Sequence, residues 1–122
     1  MKIFLCIFVG LSIFFANIQP VESAFVEGVE DIPLADGLSQ IENGTLSFGN
    51  EEIRFVEVFC KALNTSFEKI AIFYSETLPQ MGWKIEEKTK NRIIFEREGE
   101  FLEIVTETSD PLIIRLTVKS RN

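Results

Sequence analysis

The chain contains no histidine, and its 122 residues include only two cysteines, Cys6 and Cys60. Without histidine there is no Ser-His-Asp or Cys-His nucleophile system, and the usual zinc sites lose their commonest ligands. Cys6 lies in an N-terminal segment that reads as a signal. That leaves Cys60 alone, so an intramolecular disulfide and paired-thiol redox chemistry are both excluded. Cys60 falls in an apolar run, where a cysteine behaves as a small buried hydrophobe. A reactive thiolate would need a histidine or cationic surroundings. Gly28, Gly37, Gly44 and Gly49 are scattered near turns and form no phosphate-cradling loop. Basic residues are few, 12 against 19 acidic ones, for a net charge of −7. Such a chain is repelled by nucleic acid and by anionic lipid surfaces. The carboxylates alternate with apolar residues, as on a solvated sheet face. Asp36 and Glu42 offer oxygen to a hard cation, but no spacing resembles a calcium loop. The expectation is a non-enzymatic protein with no catalytic residues, no cofactor and no metal.

Residues 1–23 read as a cleaved signal peptide. Met1-Lys2 is a minimal positive start, and Ile3 to Ala16 is an apolar run shorter than the ~20 residues that span a bilayer. Val21-Glu22-Ser23 places small or aliphatic residues where cleavage after Ser23 requires them. Cleavage removes one base and one acid, Lys2 and Glu22, so the net charge is unchanged. No stable membrane span remains after processing; a retained N-terminal anchor is the alternative. Residues 24–38 carry no period and are punctuated by Gly28, Pro33 and Gly37. They read as an extended lead-in that lays Val26, Ile32 and Leu34 on the core. Residues 39–122 then form one domain.

One stretch organises that domain. From Asn64 to Trp83, apolar residues recur at helical spacing: Phe67, Ile70, Ala71, Tyr74, Leu78 and Met81 share a face, with Lys69, Ile72 and Glu76 opposite. Thr65 and Glu68 have capping-box spacing. Pro79 loosens the last turn, Gly82 ends the helix in the left-handed conformation, and Trp83 opens the next strand facing inward. Strands are expected near Thr45–Phe48, Ile53–Leu63, Trp83–Lys88, Arg92–Glu98, Phe101–Glu107 and Leu112–Lys119. The last four, joined by short links, form an antiparallel meander. The fold class is α+β: one helix on one face of a mainly antiparallel five- to six-stranded sheet, β-β-α-β-β-β-β. The six strands, numbered along the chain, lie in the order 1-2-6-5-4-3.

Turn chemistry suggests a register. A Gly99-Glu100 loop of type II′ sets Phe95 opposite Ile104. A Thr89-Lys90-Asn91 loop sets Ile85 opposite Phe95 and Trp83 opposite Arg97. A Thr108-Ser109-Asp110 loop sets Ile104 opposite Ile114 and Glu103 opposite Arg115. Ile85, Phe95, Ile104 and Ile114 then make an inward row. On the far face Lys84, Glu96, Glu103 and Arg115 form a charge ladder beside an apolar strip of Ile94, Val105 and Ile113. That strip, with Glu96, Glu103 and Arg115, is the candidate partner-binding patch.

The segment Glu30-Asp31-Ile32-Pro33-Leu34 with Gly37-Leu38, then Phe73-Tyr74, Glu76-Thr77-Leu78-Pro79 and Gly82-Trp83, and the β-rich tail, resemble an uncharacterised family of small exported alphaproteobacterial proteins. The resemblance implies a periplasmic or secreted location and supplies no activity or functional residues. The expected function is an exported envelope protein that binds another protein or an envelope component. The alternative is a carrier that holds a small apolar ligand between helix and sheet, its only support being the aromatic residues Phe48, Phe55, Phe59, Phe67 and Phe73. Partner identity and oligomeric state are not readable from the sequence.

Overall fold

Between Arg54 and Ala62 every second side chain is apolar and buried, Val56, Val58 and Cys60, and this period of two builds an inner strand of the sheet. The computed structural model describes residues 25–50 and 53–120; the expected signal segment, 1–23, lies outside the described residues. The elements are β1 (Phe25–Val26), β2 (Val29–Pro33), β3 (Leu38–Gly49), β4 (Arg54–Ala62), α1 (Phe67–Thr77), a 3-10 turn (Leu78–Met81), β5 (Lys84–Lys88), β6 (Arg92–Arg97), β7 (Glu100–Ser109) and β8 (Leu112–Ser120). Strands β3 to β8 form a six-stranded antiparallel sheet in the order β3-β4-β8-β7-β6-β5. This is the α+β class and the strand order expected. No described helix is long and apolar enough to cross a membrane.

Helix α1 buries Phe67, Ile70, Ala71 and Tyr74, while Ile72 on its other side stays 48% exposed. Its N-cap is Ser66, not Thr65. Ser66 is the residue with extended backbone, and its hydroxyl accepts from the Lys69 amide at 3.2 Å. The reach from N-cap to third helical residue therefore ends at Lys69, and the expected box with Glu68 does not form. At the other end the helix tightens from Leu78 onward, where Pro79 lacks an amide hydrogen. Gly82 closes it at φ +92°, and the Trp83 amide donates to the Leu78 carbonyl at 3.1 Å. Trp83 then enters the core, 1% exposed.

The lead-in is more ordered than its sequence suggests. β1 and β2 pair as a hairpin, and Val26, Val29 and Ile32 are buried in the same core as the helix. Tyr74 ties the two together: its hydroxyl donates to the Pro33 carbonyl at 2.7 Å and accepts from the Ala35 amide at 3.3 Å. Asp31 adds a second tether, with its carboxylate 2.5 Å from the Arg97 guanidinium and 3.8 Å from that of Arg54. Helix and hairpin thus share the inner face of the sheet. β3 is also longer than the expected Thr45–Phe48 segment. It begins at Leu38, and an irregularity between Gln40 and Thr45 hides its period.

Two hairpins differ from the expected register by two residues. Arg97 pairs with Glu100, so the β6–β7 turn is Glu98-Gly99, both at positive φ (+46° and +84°). This is the type I′ pattern, whose twist matches the flanking strands. Phe95 consequently faces Leu102 rather than Ile104. In the β7–β8 hairpin Ser109 pairs with Leu112, leaving Asp110-Pro111 at the turn instead of Thr108-Ser109-Asp110. A bulge between Thr106 and Thr108 then sets Ile104 opposite Leu116 and Leu102 opposite Val118, not Ile114 and Leu116 as expected. An even shift keeps every side chain on its face. Phe95, Ile104 and Ile114 are therefore fully buried as expected. Ile85 does face Phe95, but it sits on an edge strand without cover and is 45% exposed.

Candidate functional site

The face away from the helix is built from the residues that alternate with the core set. Two cross-strand rows run through all six strands. One reads Phe48, Phe55, Lys119, Phe101, Glu96, Lys84, and the other Leu46, Glu57, Thr117, Glu103, Ile94, Glu87. A shorter row, Phe59, Arg115, Val105, Arg92, lies alongside. The hairpin β1–β2 packs into the inner core and so leaves this outer face uncovered by the lead-in.

All six residues singled out from the sequence, Ile94, Glu96, Glu103, Val105, Ile113 and Arg115, are on this face and half-buried. The two-residue shifts turn the expected rows into diagonals. Glu103 stands opposite Thr117 and not Arg115, while Arg115 stands opposite Val105. Ile113 pairs with Lys61 and Thr108, one diagonal step from Val105 and not beside it. Diagonal neighbours are still within reach of long side chains. Ile94, Val105 and Ile113 therefore keep a slanted apolar strip, and Glu96, Glu103 and Arg115 a parallel charged one. Lys84 opposite Glu96 is the one rung that stands as expected.

Arg115 and Glu103 of the charged strip belong to a chain of ion pairs. The Arg115 guanidinium donates to Glu107 at 2.8 Å, to Glu103 at 3.2 Å and to the Thr117 hydroxyl at 3.1 Å, and lies 3.9 Å from Glu57. Glu103 also approaches Arg92 at 3.6 Å, and Arg92 pairs with Glu87. Burial works against the charge on Arg115, but the hydrogen bonds and charge attraction of Glu107 and Glu103 together outweigh it and hold the arginine more firmly protonated than usual. Signs alternate along the chain Glu57, Arg115, Glu103, Arg92, Glu87, so the face carries fixed local polarity with little excess of either sign. Thr117 under Arg115 is only 5% exposed.

Beside this network Ile94, Phe101, Glu103 and Lys119 line a shallow depression of about 230 Å³. Phe101, Lys119, Arg92 and Glu57 were not singled out from the sequence. The Glu98-Gly99 turn signal would have brought Phe101 next to Ile94. Glu57 needed the register between β4 and β8, which no local turn sets.

Of the five aromatic residues that supported a ligand between helix and sheet, Phe67 is buried in the core and Phe73 packs against it, but the other three lie on the opposite face. Phe48 and Phe55 stack on the outer face with centroids 4.9 Å apart, and Phe48 is 60% exposed. Phe59 is on the outer face too. Between helix and sheet lie Tyr74, Leu78, Trp83 and Phe95, all fully buried. A larger cleft of about 490 Å³, partly open to solvent, lies at the start of the helix between Ala35, Asp36, Gly37, Leu63, Lys69 and Phe73.

No family model matches this chain, and neither does any curated protein or solved structure.

Proposed function

We propose that this is a non-enzymatic interaction module of the bacterial cell envelope, and that it docks a protein partner on the outer face of its sheet. The observation that carries this reading is the diagonal pair of strips, which no described element covers. An apolar line of Ile94, Val105 and Ile113 runs beside arginines and carboxylates held in one geometry by their mutual bonds. A preformed polar rim beside an apolar anchor site favours protein recognition, because little side-chain freedom is lost on binding. The depression between Ile94 and Phe101 has room for one apolar side chain, with Lys119 and Glu103 at its margin to meet that residue's polar neighbours. The partner is thus a protein that presents an aliphatic or aromatic anchor flanked by polar groups. Export is supported by the apolar N-terminal run and by the resemblance of the helix-end motif to small exported alphaproteobacterial proteins.

The alternative, an apolar-ligand carrier, requires a cavity between helix and sheet, where the side chains are instead fully buried against one another. The test is retention of a partner by the tagged mature protein and by its Ile94→Lys and Ile72→Lys variants. Loss with Ile94→Lys alone supports the outer face. Loss with Ile72→Lys alone, or a co-purifying lipid with no protein, overturns it.

A further inference from the structure

The two edges of the sheet are treated differently. β5, at one edge, is Lys84-Ile85-Glu86-Glu87-Lys88, charged at four of five positions, which is how soluble proteins keep an edge from pairing. β3, at the other edge, has one charged residue, Glu42, in its twelve. No described strand pairs with its outer side. Its regular part is Thr45-Leu46-Ser47-Phe48-Gly49, bounded by the irregularity before Thr45 and by the turn where the Asn50 amide donates to the Ile53 carbonyl. Leu46 and Phe48 are 53% and 60% exposed.

The direction of the unpaired backbone groups follows from two bonds. Amides alternate sides along an antiparallel strand. The Arg54 amide points away from β3, donating to the Ser120 hydroxyl at 2.8 Å on β8. Phe55 and Glu57 therefore turn their backbone groups toward β3, and their partners there are Phe48 and Leu46. The Asn50–Ile53 bond at the turn gives the same phase. It follows that Thr45, Ser47 and Gly49 direct their N–H and C=O groups outward from the sheet.

We infer that β3 is a self-pairing edge, and that its occupant is β3 of a second copy of this chain, antiparallel about a two-fold axis at Ser47. In that register Ser47 bonds its own counterpart, and Thr45 bonds Gly49 of the second copy. Leu46 then stands opposite Phe48 of the second copy on the outer face, twice over. The Phe48–Phe55 stack of each protomer meets the other's Leu46, so the two apolar side chains left most exposed on this edge cover one another. Isologous contacts of this kind need a surface that complements itself, and this five-residue segment does so without bringing like charges together. On the neighbouring strand, Glu57 is offset by Arg115 within its own protomer. The two sheets become one, and the outer faces proposed for docking become continuous across the axis. The inference does not depend on that docking reading.

The test is sedimentation equilibrium of the mature protein over a wide concentration range, with three variants. Wild type is expected to form a concentration-dependent dimer. Ser47→Pro removes the outward amide without touching a bond to β4, so it is expected to be monomeric, with the thermal midpoint that wild type shows at dilutions where it is monomeric. Directly opposed residues of a hydrogen-bonded antiparallel pair lie about 5.5 Å apart at Cα, within disulfide range. Ser47→Cys, oxidised with diamide, is therefore expected to give a covalent dimer, and Thr45→Cys is not. If Ser47→Pro fails to fold, the two cysteine variants still decide the register. A wild type that stays monomeric at every concentration overturns the inference. So does a dimer that survives Ser47→Pro, or one that links through position 45 as readily as through 47.

Discussion

Arg115 holds Glu103 at 3.2 Å across a diagonal of the outer face, while the residue directly opposite Arg115 on β7 is Val105. This placement decides how the face responds to an added charge. Val105 is flanked by Arg92 and Arg115, whereas Ile94 is flanked by Glu87 and Glu103. Val105→Lys therefore inserts a third cation between two, and Ile94→Lys inserts a cation between two anions. In urea titrations Ile94→Lys is expected to stay within about 0.5 kcal/mol of wild type. Val105→Lys is expected to lose more, and to recover part of that loss in high salt, where exposed charges are screened. The opposite ranking would contradict the register.

The helix makes a second contrast. Leu78 is fully buried where α1 passes into the 3-10 turn, and Ile72 is 48% exposed. Leu78→Ala is expected to cost about 2–5 kcal/mol, as core truncations do. Ile72→Ala should cost well under about 1 kcal/mol. Chemical denaturation of the two variants measures both, and equal losses would mean that the buried face has been misassigned.

Cys60 links the core to pH. Burial pushes its thiol up from 9.0 to about 12, so the folded protein keeps a proton that the unfolded chain releases. A group that holds its proton more tightly when folded loses stability as pH rises through the unfolded value. The stability lost between about pH 9 and 12 has a limiting slope of about 1.4 kcal/mol per pH unit for one such group. Tyr74, buried and also raised by desolvation, adds to the loss at higher pH. Urea midpoints across this range should fall more steeply for wild type than for Cys60→Ala. Native Cys60 should also react slowly with a thiol reagent and rapidly in denaturant. Parallel pH curves, or fast native labelling, would contradict burial of the thiol.

Asp31 tethers the β1–β2 hairpin to the sheet through Arg97 at 2.5 Å and Arg54 at 3.8 Å. The pair is partly exposed, so Asp31→Asn is expected to lower global stability by only about 1 kcal/mol or less. Its local effect should be larger. Hydrogen exchange should quicken at the amides of Val29 and Ile32 and stay unchanged in β8. Uniform quickening in both would mean that the hairpin opens only with the whole domain.

Much of this architecture was legible in the residues because local signals agreed with the fold. The helix stripe, the Gly82 stop and the short links after Trp83 all pointed to a helix crossing a meander, and the strand order followed from the direction in which the helix returns the chain. Face assignment was robust for a simple reason: both register differences were even, so Phe95, Ile104 and Ile114 stayed inward. Exact pairing was less legible because Gly99 fits either of two turn phases, and the Glu107 bulge leaves no local signature. The lead-in strands were hidden by their shortness. Their order comes from Tyr74 and Arg97, contacts 39 to 66 residues away in the chain. The full site needed the β4–β8 pairing that brings Glu57 to Arg115, a contact between strands far apart in sequence.

Photo-crosslinking in cells that carry the protein natively tests the outer-face reading most directly. A photoreactive residue would be placed in turn at positions 94 and 101 on the outer face, and at position 72 on the exposed side of the helix. The expected result is one and the same protein adduct from 94 and 101 and none from 72, with the position-101 adduct lost when Ile94→Lys is added. An adduct from position 72 alone, or no protein adduct from either outer-face position, would contradict the assignment of this face as the docking surface.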